Sequence, residues 1–156
     1  IQQVVDALIE SKRNFVTIYP NNDYGTEIIL NEYQRFENNK HFRVFPSLRF
    51  EHFLTLLKNA DFIIGNSSAG IREAEIYGIP TVDIGSRQKN RTKSKNIINV
   101  PNSKDKILKA IAKAEKTTIE PVSYFGDGKS TENFFQILLQ GDIWKIKVQK
   151  QFLDIL

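Results

Sequence analysis

The 156-residue sequence predicts an α/β fold: a parallel sheet with helices on both of its faces. Three observations predict it. Short, continuous apolar runs such as "NFVTIYP", "HFRVFP", "DFIIG" and "IPTVDIG" read as strands covered on both sides. Between them lie stretches whose apolar residues recur every three or four positions, the spacing of a helix with one buried face. The joints are short, so strand and helix alternate in the order of parallel crossovers.

Taken in order, "IQQVVDALIESK" reads as a helix with Val4, Val5, Leu8 and Ile9 on one side. "NFVTIYP" is a strand stopped by Pro20. "TEIILNEYQRFENN" places Ile28, Ile29, Tyr33 and Phe36 at helical spacing, and "HFRVFP" is the second strand. "RFEHFLTLLKNA" is a helix with Phe50, Phe53, Leu54 and Leu57 as its apolar stripe. "DFIIG" is the third strand and "GIREAEIYG" a short helix, ended by Gly78 with Pro80 two residues on. "IPTVDIG" is the fourth strand; a polar loop from Ser86 to Lys95 and a brief strand "NIINV" follow. "SKDKILKAIAKAEK" reads as a helix capped by Ser103, and "STENFFQILLQ" as a last clear helix entered through "YFGDGKS". That Gly-Asp-Gly turn reads as a structural helix start. In the tail, Trp144, Ile146 and Val148 alternate with polar residues, as in a strand, and Phe152, Leu153 and Leu156 suggest a final helical turn.

The length fits one domain, residues 1–156. Cysteine is absent, which excludes disulfides, thiolate chemistry and Cys-based zinc sites and fits a reducing, cytoplasmic setting. No apolar run reaches the length of a membrane span and no signal peptide is visible, so no membrane partner is expected. Methionine is absent too and the chain opens inside a helix, which suggests a fragment of a longer protein. The net charge is +4, with cations clustered in "SRQKNRTKSK". A basic loop attracts phosphate, nucleic acid or acidic membrane, but without interleaved aromatics this one does not point to nucleic acid.

The chemistry concentrates in "IIGNSSAGIREAEIYGIPTVDIG", residues 63–85. Ser67 and Ser68 lie at the carboxyl end of the third strand, where ligands of open parallel sheets bind, and they open a helix. Three readings compete. Serine is an ordinary helix N-cap. Gly65 to Ala69 also approximates a nucleophile elbow, but its usual partners follow the serine, whereas His41 and His52 both precede it. Third, a helix start with free N–H groups, small residues and two hydroxyls suits a phosphate or diphosphate. Glu73, on the first turn, either complements the helix dipole or accepts from sugar hydroxyls. Arg87 follows the fourth strand on the same sheet edge, where a guanidinium pairs bidentately with phosphate.

The block "GNSSAGIREAEIYGIPTVDIGSRQKNR" resembles the nucleotide-binding segment of the hydrolysing UDP-N-acetylglucosamine 2-epimerases, enzymes that supply sialic-acid-type sugars. "YPNNDYGTEII", "FGDGKST" and "IWKIKVQKQFLDI" resemble that group as well. The resemblance implies a Rossmann-like domain, the C-terminal half of a two-domain GT-B fold whose N-terminal domain is not in this sequence. It implies a UDP-sugar substrate, no cofactor, no metal, and a homodimer as one possible assembly. It assigns Ser67 and Ser68 to the UDP diphosphate, Glu73 to the ribose hydroxyls and Arg87 to the nucleotide-sugar site. Phe53 and the backbone at Leu48 flank the uracil, and Asn21 lies near the sugar or phosphate. From its own pattern Phe53 reads equally as helix core, and Asn21 equally as a turn residue after Pro20. The family reaction eliminates UDP from a 2-acetamido sugar through a glycal and then adds water. Its acid/base groups lie in the absent domain, so this chain alone is expected to bind UDP without turnover. A GT-B glycosyltransferase domain and a non-catalytic nucleotide-sugar binding module are the other readings.

Overall fold

The computed structural model describes residues 1–92, 94, 96–147 and 149. They fall into two compact units, Ile1–Val122 and the residues from Ser123 onward. The first unit contains α1 (Gln2–Ser11), β1 (Phe15–Ile18), α2 (Thr26–Tyr33), β2 (Phe42–Phe45), α3 (Phe50–Lys58), β3 (Ile63–Gly65), α4 (Ala69–Ile76), β4 (Thr81–Ile84), β5 (Ile97–Val100) and α5 (Lys104–Ala114). The second contains α6 (Ser130–Gln140) and a 3-10 turn at Asp142–Lys145.

All strand pairs are parallel, as the alternation predicts. β1 pairs with β2, Phe15 opposite Phe42, and β4 lies between β3 and β5, with Val82 opposite Ile64 and Ile98. The hydrogen bonds form two ladders, β1-β2 and β3-β4-β5. β4 is the strand covered on both faces: Thr81, Val82 and Asp83 are all buried. α4 packs on β3 and β4, while α5 packs on β4, β5 and α1. The β1-β2 ladder departs from the two-sided pattern, for Val16 and Phe45 face solvent.

One apolar core joins Val5, Leu8, Phe36, Phe42, Val82, Ile107 and Ile111. Its centre is aromatic: Phe36 stacks on Phe42 at 4.1 Å, Phe42 on Phe15 at 5.4 Å, and Phe15 meets Phe62 edge-on at 6.2 Å. Offset and edge-on rings at such distances add to the burial they bring. A smaller cluster, Leu57, Ala74 and Ile79, fixes α3 against α4 and takes Phe53 at its margin.

Three local expectations are corrected. Ser103 precedes α5, but its side chain makes no capping bond; Gln3 Oε1 instead accepts from the Lys104 N–H at 3.1 Å, so α1 caps α5. Ile28, placed on the buried stripe of α2, is exposed. The tail strand is not seen at its start: Trp144 lies in the 3-10 turn, its indole N–H donating to the Leu138 carbonyl at 3.3 Å. Val148, Phe152, Leu153 and Leu156 lie outside the described residues.

Candidate functional site

The serine turn is built by the strand that enters it and the helix that leaves it. β3 ends at Gly65 with φ +148°, a backbone conformation that favours glycine, and the chain leaves the ladder there. Four residues later, at Ala69, α4 begins. Its start is held on the sheet by Gly70, where an added Cβ would lie 2.6 Å from Thr81 Cγ2. The Thr81 hydroxyl donates to the Gly70 carbonyl at 2.6 Å. A small residue and a β-branched alcohol thus dock the helix and set the direction of its free N–H groups.

Ser68 is the N-cap residue, and its carbonyl accepts from Ile71 and Arg72, each at 2.9 Å. Its hydroxyl caps nothing. Ser67 Oγ accepts from the Ala69 N–H at a long 3.3 Å. Among the described residues no histidine bonds to either hydroxyl; His41 Nδ1 sits 2.9 Å from Asn14 Oδ1 instead. Neither serine is paired with a base that would prepare it for attack, and the Ser68 hydroxyl has no hydrogen-bond partner among the described residues.

A cleft of about 300 Å³ opens in front of this turn. It is lined by Ser67, Ser68, Ala69 and Glu73 from the turn and α4, by Leu48, Phe50 and Phe53 from the start of α3 and the segment before it, and by Ile18 at the end of β1. The structure therefore brings together five of the seven residues picked from the sequence: Ser67, Ser68, Glu73, Phe53 and Leu48. Phe53 packs against the Leu57 cluster, as its helix-core reading has it, and also lines the cleft. Phe50 stacks beside it, ring centroids 6.4 Å apart, and is largely exposed. Two aromatic rings in one cleft with hydroxyls and a carboxylate suit a ligand that carries both a planar base and polar groups.

Asn21 and Arg87 do not line the cleft. Asn21 is exposed, its carbonyl accepting from Thr26 Oγ1 at 2.5 Å in the turn before α2, as its turn reading anticipated. Arg87 is exposed in the β4–β5 loop, with no ion pair among the described residues. Its neighbour Gln88 is buried, at 3% exposure, and its Nε2–H donates to the Asn66 carbonyl at 2.7 Å.

Behind the turn, Asp83 is 1% exposed and Glu75 is 1% exposed. Both Glu75 carboxylate oxygens and Asp83 Oδ2 lack hydrogen-bond partners. Burial pushes the Asp83 carboxyl above its ordinary value, because water no longer stabilises the charged form. Among the described residues no cluster of His, Asp and Glu is arranged to hold a metal, and no helix is long and apolar enough to cross a membrane.

Sequence reasoning passed over Ile18, Phe50, Gln88 and Asp83. Phe50 carried a readable signal, since it opens a helix beside Phe53. Gln88 carried none, because a glutamine inside a cationic loop reads as solvated.

Comparison with known proteins bears on the family and the fold. The family described as UDP-N-acetylglucosamine 2-epimerase matches residues 1–139. A Neisseria meningitidis relative, a UDP-N-acetylglucosamine 2-epimerase, is 45% identical over 98% of this chain. A Legionella pneumophila relative, a hydrolysing UDP-N,N'-diacetylbacillosamine 2-epimerase, is 33% identical over 88% of it. The chain spans 41% and 37% of those relatives' lengths. The crystal structure of Methanocaldococcus jannaschii UDP-GlcNAc 2-epimerase in complex with UDP-GlcNAc and UDP superposes with a TM-score of 0.75 at 23% identity. It covers 90% of this chain and 40% of that one, and at such identity the likeness concerns the fold, which is the GT-B-like arrangement anticipated. The family match runs from α1 nearly to the end of α6 and takes in the whole serine turn, so the chain belongs to the UDP-N-acetylglucosamine 2-epimerase family.

Proposed function

We propose that this chain is the UDP-holding part of a hydrolysing UDP-N-acetylglucosamine 2-epimerase, which converts UDP-N-acetylglucosamine and water to N-acetylmannosamine and UDP. The observation that carries the reading is the cleft itself, which gathers Ser67, Ser68 and Glu73 with Leu48, Phe50 and Phe53 at the carboxyl edge of a parallel sheet. The uracil lies against the Phe53 side, the ribose hydroxyls donate to Glu73, and the diphosphate takes the serine hydroxyls and the start of α4. Arg87 completes the diphosphate clamp from the neighbouring loop.

Elimination of UDP leaves negative charge on the diphosphate, and preorganised donors lower its cost. That is the part this chain supplies. Abstraction of the C2 proton needs a base, and the cleft offers one carboxylate, already engaged with ribose in this reading. The base therefore belongs to the rest of the enzyme, as the greater length of the relatives allows. This chain alone binds UDP and turns nothing over.

UDP titration of the isotope-labelled chain tests the binding. The amide signals of Ser67, Ser68 and Glu73 should move, and millimolar UDP that moves none of them would sink the assignment. For the reaction, the full-length protein incubated with UDP-N-acetylglucosamine in water alone should release N-acetylmannosamine. Substrate that stays intact until an acceptor is added means a glycosyltransferase. The Legionella relative favours a second sugar, a 2,4-diacetamido-6-deoxy one: release from UDP-N,N'-diacetylbacillosamine but not from UDP-N-acetylglucosamine would select it.

A further inference from the structure

We propose that Gln88 is a positioning residue: it pins the loop carrying Arg87 onto the serine turn, so that guanidinium and hydroxyls address one diphosphate. The inference rests on the UDP reading above and adds to it the means by which two separate elements act as one clamp.

The loop Ser86–Arg91 leaves β4 through Gly85, at φ +91°, and folds as two successive turns, Lys89 N–H to the Ser86 carbonyl at 3.2 Å and Arg91 N–H to the Gln88 carbonyl at 3.3 Å. Asn90, at φ +64°, lets the second turn close. Ser86, Arg87, Lys89, Asn90 and Arg91 are exposed, and Gln88 alone among them points inward. Among the described residues its side chain makes one hydrogen bond, to the carbonyl of Asn66, the residue before Ser67. A backbone carbonyl only accepts, so the side-chain NH₂ must face it and the amide orientation is settled.

Packing alone does not explain this glutamine. Gln88 Oε1 is buried without a partner, and an apolar side chain of the same size would avoid leaving it so. What the polar group supplies is a fixed link between two loop segments that the sheet does not otherwise join at that point. Arg87 is the adjacent residue, and no ion pair among the described residues holds its guanidinium elsewhere. A loop already fixed at Gln88 loses less freedom when Arg87 meets phosphate, which is the usual gain from preorganisation.

The test is a double-mutant cycle on this chain with UDP as ligand. Gln88→Met keeps the shape and removes the donor; Arg87→Ala removes the guanidinium. In the unmodified background Gln88→Met should weaken UDP about tenfold, a loss of one charge-assisted contact. In the Arg87→Ala background the same change should cost less than about twofold, because the residue it positions is gone. Equal losses in both backgrounds, or no loss in either, overturn the proposal; a merely structural glutamine gives the former. Should Gln88→Met fail to fold, the side-chain NH₂ signal of Gln88 in the unmodified chain decides. UDP should shift that signal in the unmodified chain and leave it unmoved in Arg87→Ala; the same response in both overturns the pin. An unmodified chain that does not respond to UDP at all removes the UDP reading itself, whereas a chain that binds UDP with no Gln88–Arg87 coupling removes only this inference.

Discussion

Ser68 and Arg87 share a property that suits ligand-holding residues: among the described residues neither side chain makes a hydrogen bond or ion pair that would be lost. The Ser68 hydroxyl caps no backbone group, and Arg87 is exposed without an ion pair among the described residues. Ser68→Ala and Arg87→Ala should therefore each weaken UDP binding by roughly ten- to a hundred-and-fiftyfold, the range for hydrogen bonds to a charged group. Their stability should stay within about 0.5 kcal/mol of the unmodified chain in urea unfolding. A large stability loss with unchanged binding would reverse the two roles. Asp83 is the opposite case, a buried carboxyl held above its ordinary value of 3.8 by burial. Below that value the folded and unfolded chains are both protonated and the group costs nothing. As pH rises past it the unfolded chain releases the proton first, so the folded chain binds more protons and stability falls until the raised value is passed. Asp83→Asn removes this titration. The stability difference between variant and unmodified chain should grow from about pH 4 upward and then level off, whereas a difference independent of pH would mean the carboxyl is not held in its neutral form.

At the scale of the element, Gly78 shows how a turn fixes a helix end. It stands after α4 with φ +67°, and a Cβ there would lie 2.5 Å from the carbonyl of Ile119. Backbone, unlike a flexible side-chain tip, does not yield. Gly78→Ala combines a left-handed residue with a clash against main chain and should cost roughly 2–4 kcal/mol in urea unfolding. Gly85→Ala is the matched control: φ is +91° but nothing lies within 4 Å, so only the backbone strain of about 1–2 kcal/mol remains. Equal costs would show that the contact with Ile119 is not formed. The same comparison explains what the sequence could disclose. Helix ends written in local chemistry, such as Gly78 followed by Pro80, are legible. The cap of α5 is not, because its donor finds Gln3 across the chain rather than the neighbouring Ser103. The parallel strands were legible because each is a short apolar run. The exposed face of Val16 was not, since nothing in the run says which flank lacks a covering helix. In the site, the serine turn and Glu73 announce themselves by type and spacing, while Ile18 and Phe50 join it because the end of β1 and the start of α3 meet at one cleft.

Across the whole molecule, burial is unevenly divided. In the unit Ile1–Val122, β4 is bonded on both edges and buried through Asp83, and α5 buries Ile107, Ala110, Ile111 and Ala114. In the unit that begins at Ser123, α6 has no buried residue, and Phe134, Phe135, Ile137 and Leu139 are all exposed. An eleven-residue helix without a packed face is marginal in water, since helix stability in proteins comes mostly from tertiary contact. Local opening free energies follow that contact density. Amide hydrogen exchange on this chain should therefore separate the two units. The amides of Val82 and Ile111 should exchange through global unfolding and slow together as stability is raised. Those of α6 should exchange orders of magnitude faster and stay indifferent to stabilising solutes that slow the core. Exchange in α6 as slow as in β4 would mean that this helix has found an apolar surface to bury against, and the exposed phenylalanines would be the residues to probe for it.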